Sequence, residues 1–85
     1  HIAVCMLPKG HNRDSIMQEL AKFGIQTSMH YPNIRDFSLM SEYKYLINTP
    51  NCNEYTERCM TIPLYEDLEY DDLKYIVKST NEFFD

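Results

Sequence analysis

The chain has 85 residues, 44% of them hydrophobic and 13% aromatic, and its formal net charge at pH 7 is −5. This length suits one small domain with a core of limited size. The eight Lys and Arg residues are scattered, which argues against nucleic acid as a partner because phosphate binding needs clustered positive charge. No apolar run approaches the roughly 20 residues of a membrane-spanning helix, so we expect no membrane partner.

The cysteines are three, an odd number, and they form no C-x-x-C pair. Cys5, Cys52 and Cys59 therefore fit neither a disulfide framework nor a zinc site. The three histidines also lie too far apart in sequence to predict a local metal site. Free thiols in a reducing cytoplasm are the simplest interpretation.

The first half of the chain has the pattern strand, helix, strand. The apolar run over 2–7 predicts a strand covered on both faces. Asn12 is a good N-cap for a helix over 13–23, which ends at Gly24 in a left-handed conformation. The alternating residues of 25–31 predict a second strand. A right-handed crossover makes the two strands parallel if they share a sheet.

The second half alternates short helices with one strand. The pattern predicts a helical piece within 38–46, a helix over 53–59, a strand over 60–64 and a helix from about 70 to the end. Asn51 or Asn53 would cap the helix over 53–59. The order β-α-β-α-α-β-α predicts an α+β fold, with a small sheet of about three strands and helices packed on one face.

The terminal helix is the clearest element of the sequence. Its acidic start, which includes Asp71 and Asp72, suits the positive end of the helix dipole. Its apolar positions mark one face of a helix, namely Leu73, Ile76, Val77, Thr80, Phe83 and Phe84. We expect that face to pack on the sheet.

The segment after the second predicted strand holds the candidate binding groups. Pro32 ends the strand, because it has no N–H to donate, and Asn33, Arg35, Asp36 and Phe37 follow it. A strand that delivers His30 and Tyr31 into such a loop can present them to a ligand. An ordinary exit from a strand has the same residue types, and the residues alone leave both interpretations open.

No stretch of the chain contains a complete catalytic motif, since the chain has neither a glycine-rich phosphate loop nor a G-x-S-x-G motif.

Several stretches of the sequence, however, resemble a known enzyme family. The runs HIAVCMLP, RDSIMQELAKFGIQTSMHYPNIRDF and NEYTERCMTIPL resemble the C-terminal part of the DegT/StrS-type sugar aminotransferases. The shared marks are Leu7-Pro8, Arg13-Asp14, Gly24-Ile25, Thr27 and His30-Tyr31-Pro32. The terminal helix with its acidic start is similar as well.

The resemblance implies an enzyme that uses pyridoxal phosphate and acts on a nucleotide-linked keto sugar. Residues 1–85 would be a single small domain, the C-terminal fragment of a larger cytoplasmic homodimer, which closes the active site and lines part of the substrate pocket. The cofactor and the lysine that binds it would belong to a missing N-terminal large domain, so we expect these residues to be inactive alone.

The resemblance also implies site residues, with two departures. His30 and Tyr31 would hydrogen-bond the sugar, and Arg35 would pair with a phosphate of the substrate. Asn33 and Arg35 stand where the family commonly has a proline and a histidine, and Glu69 stands where it usually has a Ser or Thr cap. From a different functional class, the competing hypothesis is a free-standing α+β module for protein interaction or for regulation by a small ligand.

Overall fold

A computed structural model describes residues 1–46 and 48–84, except for the side chain of Lys44. Residues 47 and 85 lie outside the description, and residue 85 is the last position of the predicted terminal helix. The elements are β1 (Ala3–Met6), α1 (Arg13–Lys22), two 3₁₀ helices (Ile34–Asp36 and Ser38–Leu46), α2 (Pro50–Arg58), β2 (Cys59–Ile62) and α3 (Tyr70–Asn81). The fold is α+β, which confirms the predicted class.

The sheet is centred on β2. β1 pairs with β2 in antiparallel register, with Cys5 opposite Met60. On the other side of β2, Ser28 and Thr61 exchange both backbone hydrogen bonds, at 3.1 and 2.7 Å, in an isolated antiparallel bridge. β1 and the segment around Ser28 both run antiparallel to β2, so they are parallel to each other, as the predicted crossover requires.

The expected strand over 25–31 is reduced to this one bridge, so the sheet has two strands rather than about three. Extending the register places Gln26 opposite Pro63, which has no N–H to donate. In the other direction His30 lies opposite Cys59, whose N–H is already bonded to the Tyr55 carbonyl at the end of α2. The ladder therefore has no donor available on β2 at either side of the bridge.

β1 is an edge strand, and the prediction that it is covered on both faces was wrong. Val4 and Met6 remain 36% and 43% exposed, and Ile2, at the same parity of the chain, is 46% exposed. β2 is the buried strand, since Cys59 and Met60 are fully buried and Thr61 nearly so. Among the described residues, β2 is paired on both sides and β1 on one side, which leaves β1 more exposed.

The hydrophobic core lies on one face of the sheet, between the sheet and two helices. It contains Leu7, Ile16, Leu20, Ile25, Met60 and Ile76, with Cys5 and Ile62 packed against it. Ile16 and Leu20 come from α1 and Ile76 from α3, so these helices cover the same face, as predicted. On α3, however, Leu73 and Val77 are 41% and 47% exposed, and the predicted apolar face is only partly buried.

The ends of α1 follow the sequence closely. Asn12 accepts a hydrogen bond from the Ser15 N–H at 2.9 Å through its side-chain oxygen, as an N-cap does. Gly24 has a φ of 80°, and the N–H groups of Gly24 and Ile25 bond to the carbonyls of Ala21 and Leu20, both at 3.0 Å. These two bonds form a Schellman motif, which stops the helix and turns the chain back to the sheet.

The starts of α2 and α3 are less well capped. α2 begins at Pro50 after Thr49, so the prediction of Asn51 or Asn53 as its N-cap was wrong. Pro50 at the first helical position explains the earlier start, because its fixed φ suits a helix and its missing N–H would have no partner there. Glu69 precedes α3 and its backbone carbonyl accepts the Leu73 N–H at 3.0 Å, but its side chain makes no capping hydrogen bond, so the side chain contributes only its charge at that end.

The molecule is more extended than a compact chain of its length. Its radius of gyration is 15.1 Å, against about 12 Å expected for 85 residues. The second 3₁₀ helix, Ser38–Leu46, has nine residues, which is long for this conformation, and it leaves Leu39, Tyr45 and Leu46 at least 66% exposed. Within the described residues, no helix has both the length and the apolar character needed to cross a membrane.

Candidate functional site

The candidate site is the loop over 30–37, and its first residue is fixed to the sheet. Nδ1 of His30 lies 2.8 Å from Oγ1 of Thr61 in β2 and 3.4 Å from Oγ of Ser28. Tyr55 in α2 donates a 3.0 Å hydrogen bond from its hydroxyl to the carbonyl of His30. Both the ring and the backbone of His30 are therefore held, and the ring remains partly exposed.

Tyr31 stands out from the loop. It is 66% exposed, and its ring meets the His30 ring edge-on at a centroid distance of 4.8 Å. The peptide bond between the two residues is cis. The Tyr31 hydroxyl has no hydrogen-bonding partner among the described residues, so it can bond to a ligand.

Asn33 builds the turn that carries Arg35. It is 3% exposed, and its side-chain oxygen accepts a 3.0 Å hydrogen bond from the Arg35 N–H at the start of the first 3₁₀ helix. The Asn53 amide of α2 lies 2.6 Å from the Asn33 amide nitrogen, and its other end is 3.0 Å from Nη1 of Arg35. The Asn33–Asn53 contact thus connects the loop to α2.

The Arg35 side chain is partly restrained and 30% exposed. Its Nη1 lies 3.0 Å from the Asn53 amide, and its Nε lies 3.7 Å from an Asp36 carboxylate oxygen. A guanidinium has five N–H donors, so donors remain for an anionic ligand. The structure therefore places His30, Tyr31 and Arg35 in one anchored loop. Tyr31 is exposed, and the side chains of His30 and Arg35 are partly exposed.

Sequence reasoning missed the residues that anchor the loop. Thr61, Tyr55 and Asn53 come from α2 and β2, at least 18 positions beyond Arg35 in the chain, and no local motif connects them to it. The role of Asn33 had a signal that could have been used, since Asn before a short helix is a preferred N-cap.

A cavity of about 490 Å³ lies beside this loop rather than in it. It lies next to the Ser28–Thr61 bridge. Its walls are formed by residues 24–28 and 61–63, by Tyr65, and by Asp72, Tyr75 and Ile76 of α3. None of the three predicted site residues lines it. Among the described residues, Asp72 is the one carboxylate in its lining.

Among the described residues, two ionisable groups have a shifted pKa, and both lie outside the loop. Burial raises the pKa of the Cys5 thiol above its ordinary value of 9.0, which keeps it protonated and unreactive. Lys9 and then Arg58 lower the pKa of the exposed Glu54 carboxyl. The three cysteines are free, as predicted, and no group of metal-binding side chains is present in the part of the chain that the structure describes.

The four lysines whose side chains are described do not fit a site for pyridoxal phosphate. Lys9 and Lys22 are exposed and paired with Glu54 and Glu19, while Lys74 lies over the Tyr70 ring at 4.7 Å. Lys78 is exposed on α3. Among the lysine side chains that are described, each faces solvent and none lines a wall of the 490 Å³ cavity. The described residues offer no buried amine beside a phosphate-binding cradle.

Comparison with known proteins decides the family. The model of the DegT/DnrJ/EryC1/StrS aminotransferase family matches residues 1–81. The chain belongs to this aminotransferase family. The match includes the His30–Tyr31 pair, Arg35 and every residue that anchors them, which confirms the resemblance read from the sequence. A comparison with curated protein sequences finds no significant match.

Solved structures with the same fold include two sugar-related aminotransferases. PseC of Helicobacter pylori, an aminotransferase involved in the biosynthesis of pseudoaminic acid, superposes on 99% of the chain with a TM-score of 0.88 and 17% identity, which shows the fold alone. Spr1654 of Streptococcus pneumoniae, described as a sugar aminotransferase, covers 96% of the chain in its apo form, with a TM-score of 0.85 and 26% identity. The PMP form of Spr1654 covers 96% of the chain, with a TM-score of 0.77 and 28% sequence identity.

The chain corresponds to a minor part of those proteins. It spans 23% of PseC and 21% or 22% of Spr1654. The fold of these residues is therefore one that occurs within much larger aminotransferases.

Proposed function

We propose that residues 1–85 are the C-terminal small domain of an aminotransferase that uses pyridoxal phosphate and acts on a nucleotide-linked keto sugar. The observation that carries this proposal is the family match over residues 1–81. The PMP form of Spr1654 supports the cofactor, because PMP is the amino form of pyridoxal phosphate. The described lysines do not fit a cofactor site, so we assign cofactor binding to the rest of the enzyme.

The exposed apolar surface supports a role as one part of a larger protein. The side chains of Val4 and Met6 are exposed on one face of the edge strand β1, and those of Leu39 and Tyr45 are exposed on the second 3₁₀ helix. An extended shape with such surfaces is typical of a domain that packs against another. We expect the large domain of the same enzyme to cover them, in a homodimer of the cytoplasm, and we expect the 85 residues alone to be inactive.

The loop over 30–37 would be the part of this domain that reaches the substrate. Tyr31 offers a free hydroxyl and His30 a ring nitrogen for sugar hydroxyl groups, and Arg35 offers guanidinium donors for a phosphate oxygen. The anchors from Thr61, Tyr55 and Asn53 favour a binding role, because a restrained loop loses little conformational entropy when a ligand binds.

The alternative of a small-ligand regulatory module has one supporting observation. The cavity of about 490 Å³ has the volume of many ligand sites, and none of the three proposed substrate residues lines it. The family match favours the aminotransferase. If the module hypothesis is right, a ligand binds beside Asp72 and Tyr75, and substitutions in the loop leave its affinity unchanged.

Arg35 gives the direct test of the substrate role. In the full-length enzyme, Arg35→Ala should raise the KM for the sugar nucleotide about tenfold to a hundredfold, since a hydrogen bond to a charged group contributes about 1.5–3 kcal/mol. Steady-state kinetics measures this, and Arg35→Lys should recover part of the loss.

Arg58→Ala is the matched control. Arg58 has a similar side-chain exposure of 26%, but its guanidinium bonds to the Leu7 carbonyl and to Glu54 within the domain. It should lower the thermal stability and leave the KM unchanged. An unchanged KM in Arg35→Ala would show that Arg35 does not contact the substrate phosphate.

A further inference from the structure

Thr61 lies at the centre of the sheet, beneath the candidate site. It is 6% exposed, and its backbone N–H and C=O both bond to Ser28 across the isolated bridge. Its side chain is on the sheet face opposite the hydrophobic core, since the core takes the alternate positions Met60 and Ile62. The hydroxyl therefore has a fixed position, set by the strand.

His30 uses that hydroxyl. Nδ1 of the ring is 2.8 Å from Oγ1 of Thr61, within the distance of a good hydrogen bond. A hydroxyl can donate to an unprotonated Nδ1 or accept from a protonated one, so the contact survives a change of tautomer. Within the described residues, Nε2 has no hydrogen-bonding partner, and it is the ring atom left for a ligand.

The backbone of His30 is fixed from a second direction. Tyr55 donates to the His30 carbonyl at 3.0 Å, in the place where a continuous strand would have used the Cys59 N–H. Interruption of the strand at His30 therefore lets a side chain of α2 hold the loop. The ring and the carbonyl are restrained independently, one by β2 and one by α2.

From this geometry we propose that Thr61 is a positioning residue, whose hydroxyl holds Nδ1 of His30 so that Nε2 is presented to the substrate. Tyr55 assists by fixing the carbonyl of the same residue. The inference rests on the proposed substrate role of His30, and the two can be tested separately.

The test uses the full-length enzyme and five variants, one of which is a control. Thr61→Val removes the hydroxyl, keeps the β-branched shape that suits a strand, and leaves the backbone bonds to Ser28 intact. We expect the KM for a nucleotide-linked keto sugar to rise about threefold to tenfold, the usual effect of losing one hydrogen bond, with kcat changed less than twofold. Thr61→Ser should restore the KM, because it returns the hydroxyl.

His30→Gln and the double variant His30→Gln/Thr61→Val complete a double-mutant cycle, which measures whether the two residues act together. If Thr61 acts through His30, Thr61→Val has no further effect on the KM once His30 has been replaced. An equal effect in both backgrounds would overturn the inference, as would an unchanged KM in Thr61→Val when His30→Gln raises it. An unchanged KM in His30→Gln would instead refute the substrate role of His30 itself.

Thr80→Val is the matched control for a purely structural loss. The Thr80 hydroxyl donates to the Ile76 carbonyl at 2.7 Å within α3, away from the loop. This variant makes the same chemical change at a half-buried position, and it should leave the KM unchanged. If Thr80→Val raises the KM as much as Thr61→Val does, the effect of Thr61 is one of general stability and the positioning role is wrong.

Discussion

Asn33 determines whether the loop over 33–37 keeps its conformation. Asn33→Ala would remove two contacts of a side chain that is 3% exposed, the bond from the Arg35 N–H at 3.0 Å and the contact with Asn53 at 2.6 Å. Each hydrogen bond contributes about 0.5–1.5 kcal/mol, so the loop should lose about 1–3 kcal/mol. This corresponds to an increase of about fivefold to 150-fold in the fraction of time that the loop is open.

Hydrogen exchange measured by mass spectrometry on the full-length protein reports this opening directly. A peptide that contains Arg35 and Phe37 should exchange faster in Asn33→Ala by the factor given above. Asn12→Ala is the matched control, because the Asn12 side chain caps α1 in the same way through the Ser15 N–H at 2.9 Å. It should speed exchange at the start of α1 and leave the loop unchanged. Unaltered exchange at Arg35 in Asn33→Ala would refute the role of Asn33.

Two further predictions concern groups outside the loop. Among the thiols, exposed Cys52 should react with iodoacetamide at least tenfold faster than Cys5, whose pKa is raised by burial, or Cys59, which has no exposed surface; equal labelling in a peptide map would contradict the structure. Because Lys9 and Arg58 lower the pKa of Glu54, its ionised form stabilises the fold above pH 4.5 and this contribution disappears as the pH falls through the lowered pKa. Glu54→Gln should therefore be less stable than the parent at neutral pH and equal to it in acid when both are compared in thermal melts, and a difference of the same size at both pH values would contradict this contribution.

Local signals in the sequence were enough to locate the three α-helices, although α2 begins three residues before the predicted start at 53. Asn12 and Gly24 define the two ends of α1 through hydrogen bonds within a few residues of each other, so the sequence pattern contains the whole interaction. Pro32 and the alternation before it suggested a complete strand over 25–31. That prediction was wrong because the ladder depends on Pro63 and Cys59, which lie more than 25 residues away.

In the candidate site, too, local features could be predicted from the sequence and contacts between distant residues could not. His30 and Tyr31 could be selected from the sequence because they belong to a family motif, and Arg35, which departs from that motif, could be selected as a cation in the same short loop. Thr61 and Tyr55 could not, since the His30–Thr61 bond joins residues 31 positions apart and depends on the register of the sheet. The exposure of Val4 and Met6 was also missed, because an apolar run does not tell an edge strand from a central one.

The central claim is that these residues serve an enzyme that transfers an amino group to a nucleotide-linked keto sugar. The most direct measurement is to incubate the full-length protein with pyridoxal phosphate, an amino-acid donor and a set of nucleotide-linked keto sugars, and to detect the amino sugar by mass spectrometry. We expect product with at least one sugar, and none when residues 1–85 are supplied alone. Product from an amino-acid donor and a simple keto acid, with none from any nucleotide-linked sugar, would contradict the claim.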